Sequence, residues 1–386
     1  MRIFLINSWF LVVFLHGGHA LANTLTLEQA AERLFESETI EKDWFSGQGL
    51  ASAVPRVVED MKRELGAFQY IPPCGDRCAA IFERGEIHFD MQIDAEGLIN
   101  SILIDVPVVY SESLGDAIEN FTELSGSSSV YVTRNDEVIG DLNGDVPMAV
   151  GSAFKLAVLK ALDQLIGAGK LEWDQIVGLQ DKWRSVPSGQ LQDWPRDSPL
   201  TIHTLASLMI SVSDNTATDG LIDLVTRNSV ETISPRNRPF MTTREFFQLK
   251  RRDMADTRES FVDGSYDERM QTLQQVSGLG VPRLSELDMT PLLQVEWFFT
   301  AQELCELMES LYTLDVMQIN PGLARKEDWQ SVSYKGGGDS GVFNLTTGLV
   351  AKDGIRYCIS ATWNDVDAVD QWTFFTKYLA LLHQLK

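Results

Sequence analysis

The sequence predicts an α+β protein of two domains behind a short export segment. Three observations carry that expectation. The chain has 386 residues, room for more than one hydrophobic core. Helix-period and strand-period stretches come in blocks: a helix and then strands in the first hundred residues, then strands and helices around a helical middle. The composition, 44% hydrophobic and 23% charged, is that of a chain that folds into globular units.

The first 22 residues read as a signal peptide. Arg2 is the positive start, Ile3 to Leu15 a mostly apolar run too short to span a bilayer comfortably, and Ala20-Leu21-Ala22 an A-x-A cleavage site before Asn23. The expectation is an exported protein, periplasmic or secreted, with no membrane span left after cleavage. No cysteine stands near the cleavage site, so a lipoprotein is not indicated. The formal net charge is −23 with no basic cluster, which argues against nucleic acid as a partner. After cleavage only His88, His203 and His383 remain, scattered along the chain. They suggest no metal site, and no cofactor is implied. The oligomeric state is not written in the sequence.

Residues 23–109 read as a small α+β domain. "TLEQAAERLFES" has a capping-box pattern at Thr24 or Thr26 and starts a helix. "AAIFERGEIHFDMQIDAEGLINSILID" then reads as strands, with turns at Arg84-Gly85-Glu86 and Asp94-Ala95-Glu96-Gly97. The pattern, a curved sheet wrapped on a helix, resembles the steroid-isomerase-like or cystatin-like folds. Cys74 and Cys78 lie close enough for a small disulfide loop in an oxidising compartment. Cys305, in an apolar helix, and Cys358, in an apolar strand, read as buried thiols.

Residues 110–386 read as the larger domain. A helix is expected over 113–125, then two strands about an Asn135-Asp136 turn. "VGSAFKLAVLKAL" follows as a buried helix with Ser152 at its start and Lys155 three residues on. "LTIHTLASLMISVSDNTATDGLIDLV" is a helix, a break and a second helix. Residues 228–297 are charged and turn-rich, without a clear period. Thr300 and Glu303 form a capping box for a helix. "VSYKGGGDSGVFNLTTGLVAKDGIRYCISATWND" reads as antiparallel strands turning at Asp353-Gly354, and an apolar helix closes the chain.

Three short motifs occur in order within that domain: Ser152-x-x-Lys155, Ser213-Asp214-Asn215 and Lys335-Gly336-Gly337. Together they resemble the S-x-x-K, S-D-N and K-T-G set of penicillin-binding proteins and class A β-lactamase-like serine hydrolases. The two-domain layout is similar to that of the β-lactamase-like hydrolases of clavulanate-type gene clusters. The resemblance implies an antiparallel sheet flanked by helices, the β-lactamase/transpeptidase-like fold. It implies Ser152 as nucleophile, Lys155 as general base, and Ser213 and Lys335 as catalytic partners. Asn215 and Gly337 would contact substrate, and the backbone N–H groups of Ser152 and Gly338 would form the oxyanion hole.

The chemistry needs these residue types. A serine hydroxyl is a weak nucleophile until a base takes its proton. Residues i and i+3 share a helix face, so Lys155 is expected to reach the Ser152 hydroxyl. A helix start and a second cation, Lys335, both disfavour the charged form of Lys155. Asp214 is expected to orient the loop.

Two departures qualify the substrate. Gly336 stands where the pattern has a hydroxyl residue, which in that family helps hold the carboxylate of a β-lactam; a hydrogen bond to a charged group contributes ~1.5–3 kcal/mol. The E-x-x-L-N loop, with its deacylating glutamate, is not found. Glu245 is the one candidate water activator, yet it also reads as the first turn of a helix capped by Thr242 or Thr243. Gly338-Asp339-Ser340-Gly341 spells the G-D-S-G of chymotrypsin-like proteases, but no histidine sits in a matching context. The expectation is a hydrolase of β-lactams or related amides and esters. The alternatives are an esterase or peptidoglycan-type peptidase, and a binding protein on a degenerate hydrolase scaffold.

Overall fold

The computed structural model describes residues 25–75, 77–367 and 369–386; the expected signal peptide lies outside them. The chain separates into two compact units, with the division between Pro107 and Val108.

In the first unit, α1 (Leu27–Glu36) starts at a capping box between Thr26 and Gln29. It buries Leu34 and Phe35 completely. A second helix, α2 (Gln48–Leu65), was not legible in the sequence, and it carries Pro55 inside. It persists because Ala51, Val54, Val58, Met61 and Leu65 fall on one buried face, and that burial outweighs the lost backbone bond. Strands β1 (Phe68–Tyr70), β2 (Cys78–Phe82), β3 (Gly85–Ile93) and β4 (Ile99–Ile104) form an antiparallel meander in sequence order. Phe35 packs on Phe82 and Phe89, ring centroids 6.0 and 5.2 Å away. Cys74 and Cys78 are disulfide-bonded.

The second unit opens with β5 (Val108–Val109) and α3 (Leu114–Glu119). The helix expected to 125 stops at Glu119 and tightens into a 3-10 turn over Asn120–Glu123. Strands β6 (Ser127–Arg134) and β7 (Glu137–Leu142) follow, then the short β8 (Met148–Ala149). Asn135 and Asp136 join β6 to β7 with φ of 48° and 70°, the left-handed pair that a type I′ hairpin requires. Helix α4 (Lys155–Gly167) continues from a 3-10 turn over Gly151–Phe154. Beyond the paired β9 (Ile176–Gly178) and β10 (Pro199–Thr201) come α5 (Ile202–Ser211) and α6 (Asn215–Val225). The stretch without a clear period holds four helices: α7 (Arg227–Ile233), α8 (Thr243–Leu249), α9 (Ala255–Asp263) and α10 (Tyr266–Ser277). After β11 (Phe298–Phe299), which pairs with β8, α11 (Ala301–Leu311) starts at the Thr300–Glu303 capping box.

Strands β12 (Ser331–Asp339), β13 (Val342–Val350) and β14 (Arg356–Asn364) complete an antiparallel sheet of order β12-β13-β14-β6-β7. Helix α12 (Gln371–His383) ends the fold. One sheet face meets α11 and the helical half across a core that includes Phe154, Leu205, Leu221 and Met308. The other meets α3 and α12 through Phe121, Trp363, Phe374 and Tyr378. Among the described residues, no helix is long and apolar enough to cross a membrane.

The expectation of free thiols at Cys305 and Cys358 is corrected. They form a disulfide between α11 and β14, Cα atoms 5.7 Å apart. Each was read from its own segment; the packing of α11 across β14 brings them together.

Candidate active site

Everything the three motifs name lies in the second unit. Ser152 sits in the 3-10 turn ahead of α4, and that turn abuts β12, the edge strand of the sheet. The approach is close. A Cβ built on Gly337 would lie 2.6 Å from the Ser152 nitrogen and 2.7 Å from that of Ala153. Gly151 has φ +49°, and a Cβ there would lie 2.8 Å from the Gly338 nitrogen. Both positions need glycine for the turn and the strand to meet. The contact places the Ser152 turn beside Gly338, whose N–H was expected to join that of Ser152 in an oxyanion hole. On the other side, the Val150 N–H donates to the Trp297 carbonyl at 3.1 Å, and the Trp297 ring stacks on Phe154 at 3.8 Å.

Lys155 is fully buried. Its Nζ lies 2.7 Å from the Ser213 carbonyl, 2.9 Å from Ser213 Oγ and 2.7 Å from Asn215 Oδ1. The expected hydrogen bond from Lys155 to the Ser152 hydroxyl is not made among the described residues. The lysine instead points at the loop between α5 and α6, where three acceptors replace the water it loses. Burial pushes its pKa well below the usual lysine value; Lys335 pushes the same way, and Asp219 and Asp214 oppose. Lys335 is also buried, and burial brings its pKa down to about 7. Its Nζ donates to Ser213 Oγ at 3.1 Å and to the Gly336 carbonyl at 2.5 Å.

Ser213 thus stands between both lysines. Helix α5 places it there by its ending: the Val212 and Asp214 N–H groups both return to the Leu208 carbonyl. Ser213 takes the left-handed position, φ +58°, where glycine is usual and another residue costs about 1–3 kcal/mol. Asp214 caps α6 through the Ala217 N–H, and its other oxygen accepts from the Gln190 and Leu191 N–H groups. Asn215 is 3% exposed. Its Nδ2 donates to the Val186 carbonyl at 2.7 Å, which turns Oδ1 toward Lys155. The second hydrogen of that amide donates to no described residue.

Glu245, the candidate water activator, is held at the start of α8. It is the third residue of α8 and completes a capping box with Thr242. Its Oε2 accepts from the Thr242 N–H at 2.8 Å, and its Oε1 from Arg227 Nη2 at 2.6 Å. Both oxygens are engaged in holding the helix start.

Two buried clusters beside the site gave no sequence signal. Asp219 on α6 accepts from the Thr243 N–H, the Thr243 hydroxyl and the Arg244 N–H. Burial raises its pKa to about 7 despite those bonds. Asp339, at the end of β12, pairs with the Lys250 ammonium. Glu296 lies beside that pair; burial and then the Asp339 charge push its pKa well above the usual carboxylate value. The G-D-S-G stretch is therefore a strand end and hairpin turn: Asp339 is in that ion pair, and the Ser340 hydroxyl donates to the Met289 carbonyl at 2.5 Å.

A serine at a helix start, two buried lysines sharing a second serine, and a glycine strand laid against the first serine define a serine hydrolase of the acyl-enzyme type. The sequence model of the β-lactamase enzyme family matches residues 113–319, and the chain belongs to that family. A search of curated proteins gives no match. Among solved structures, a β-lactamase from Sphaerobacter thermophilus DSM 20745 is 17% identical, over 69% of this chain and 95% of that one, with a TM-score of 0.48. A β-lactamase from Chitinophaga pinensis DSM 2588 is 18% identical over 69% and 96%, TM-score 0.48. A class A β-lactamase representative from Bacteroides cellulosilyticus DSM 14838 is 16% identical over 72% and 100%, TM-score 0.45.

Proposed function

We propose that the protein is an exported hydrolase, periplasmic or secreted, that forms an acyl-enzyme on Ser152 with Lys155 as general base. Its substrates are β-lactams or related amides and esters. The observation that carries this reading is the state of Lys155: buried, pushed toward neutrality, and one turn after Ser152. Two of its hydrogen bonds end on pure acceptors, the Ser213 carbonyl and Asn215 Oδ1. A neutral amine donates to both and keeps its lone pair to take a proton.

In acylation the Ser152 oxygen attacks the substrate carbonyl and its proton passes to Lys155. The N–H groups of Ser152 and Gly338 hold the developing oxyanion. Ser213, fixed between the lysines, passes a proton to the leaving nitrogen or oxygen. Lys335 keeps Ser213 in place and keeps Lys155 short of charge. Asp214 orients the loop that carries Ser213, and Asn215 holds Lys155 while presenting one amide hydrogen to the substrate. Gly337 leaves room for the serine turn.

Release needs an activated water. Glu245 is occupied, and among the described residues no carboxylate is hydrogen-bonded to Ser152, so β-lactam acyl-enzymes are expected to last. The test is labelling with a fluorophosphonate, followed by peptide mapping and an ester-hydrolysis assay. Label on Ser152, and loss of label and esterase activity together in Lys155→Ala, support the reading. Labelling unchanged in Lys155→Ala would refute the base assignment.

A further inference from the structure

Strand β8 leads into the Ser152 turn and pairs with β11, yet each strand is only two residues long. A two-stranded ribbon that short does not hold itself together in water. Ala149 is paired with Phe298, and Met148 with Phe299. The next bond of the ladder runs from the Val150 N–H to the Trp297 carbonyl. Ala149 and Phe298 are therefore a non-hydrogen-bonded pair, and their own N–H and C=O groups point outward, to the two edges of the ribbon. Ala149 is fully buried, so its outward groups need partners other than water.

Two buried asparagine side chains supply them. On one edge the Ala149 N–H donates to Asn364 Oδ1 at 2.9 Å, and Asn364 Nδ2 donates to the Ala149 carbonyl at 2.9 Å. On the other edge the Phe298 N–H donates to Asn237 Oδ1 at 2.7 Å, and Asn237 Nδ2 donates to the Phe298 carbonyl at 2.9 Å. Each amide stands where the peptide of a further strand would stand. The role needs a donor and an acceptor side by side; aspartate, of the same shape, would set an oxygen against the carbonyl. Both amides are anchored. Asn364 is the last residue of β14, and Asn237 Nδ2 also donates to Ser234 Oγ, at the end of α7, at 2.7 Å. The ribbon is tied to the sheet on one edge and to the helical half on the other. Ser152 follows Ala149 by three residues, and Gly151 between them abuts Gly338.

We infer that Asn364 and Asn237 are positioning residues for Ser152: their amides complete the β8–β11 ribbon, and the ribbon sets where the nucleophile stands against Gly338. The inference rests on Ser152 being the acylated residue. Neither asparagine touches substrate. Asn364 acts through Ala149, on the strand that runs into the serine turn, and Asn237 acts one strand further out, through Phe298. Substrate binding does not depend on them, because Ser213, Asn215 and Lys335 are carried by other segments. A serine displaced by a fraction of an ångström binds substrate as before and attacks it more slowly.

The experiment is stopped-flow acylation by benzylpenicillin over a range of concentrations, which separates the saturating rate constant from the half-saturating concentration. Asn364→Asp is expected to lower the saturating rate constant about 10- to 100-fold and to leave the half-saturating concentration unchanged. Asn237→Asp is expected to lower the rate constant by less. Asn364→Ser, which gives up both bonds to Ala149, carries the test if Asn364→Asp does not fold. Cys305→Ala with Cys358→Ala, destabilised elsewhere on the same sheet, is the control and is expected to keep the wild-type rate constant. An unchanged rate constant in the folded Asn364 variant overturns the proposal and leaves the Ser152 reading intact. So does a loss that falls on half-saturation alone, or an equal fall in the disulfide variant, which would assign the effect to stability. Wild-type protein that benzylpenicillin does not acylate on Ser152 overturns both.

Discussion

Lys155 and Lys335 share one hydroxyl, Ser213 Oγ, and the Lys335 charge opposes that of Lys155. Acylation needs neutral Lys155, so its rate should rise with pH along a limb well below the ordinary lysine range. Lys335 lowers the Lys155 pKa, so removing its charge should raise that pKa. In Lys335→Gln the limb should move to higher pH and the plateau should fall with the loss of the Ser213 contact. Stopped-flow acylation across pH checks this; a limb at unchanged pH would show that burial alone tunes Lys155. Glu245 gives a contrasting case. Glu245→Gln keeps a cap acceptor but loses the Arg227 ion pair, so stability should drop by about 1–3 kcal/mol. The lifetime of the acyl-enzyme should not change. A lifetime lengthened tenfold or more would return Glu245 to the role of water activator.

At the scale of elements, the two disulfides differ in leverage. Cys305–Cys358 spans 53 residues of sequence and Cys74–Cys78 only 4. Loop-closure entropy assigns about 4 kcal/mol to the first and about 2 kcal/mol to the second. Urea unfolding of Cys305→Ala with Cys358→Ala should show the larger loss, and a loss below that of the Cys74–Cys78 double variant would contradict the pairing's role. The Asp339–Lys250–Glu296 cluster ties the end of α8 to β12. Glu296 has its pKa raised on folding, so its contribution is greatest at low pH and fades as pH rises through the raised value. Glu296→Gln, which mimics the neutral acid, should leave Tm unchanged near pH 5 and raise it near pH 9. An equal effect at both pH values would mean that Glu296 is ionised in the fold.

Elements with local signals were legible in the sequence. The Asn135-Asp136 hairpin and the Thr300–Glu303 cap each lie within four residues. The motif residues were legible because each spacing is short. What was hidden depends on distant partners. Helix α2 needs a sheet to cover its buried face. Cys305 needs Cys358. Lys155 turns to Ser213 and Asn215, some sixty residues away, in preference to Ser152.

At the scale of the whole molecule, the second unit gathers the residues of the three motifs at one sheet edge and three helix ends. The first unit has its own aromatic core and no motif of this chemistry. The account stands on acyl transfer to Ser152 followed by slow release. Ring opening of a β-lactam relieves strain, so the acyl-enzyme does not reverse readily, and the candidate water activator Glu245 is tied to Arg227 and Thr242. The most direct test is a time course of intact mass spectrometry after mixing the protein with benzylpenicillin, beside Ser152→Ala. The account expects one covalent penicilloyl adduct that persists after free drug is removed and is missing from the variant. Rapid multiple turnover of the drug with no adduct would contradict the slow release, and an adduct of equal yield on Ser152→Ala would contradict the nucleophile itself.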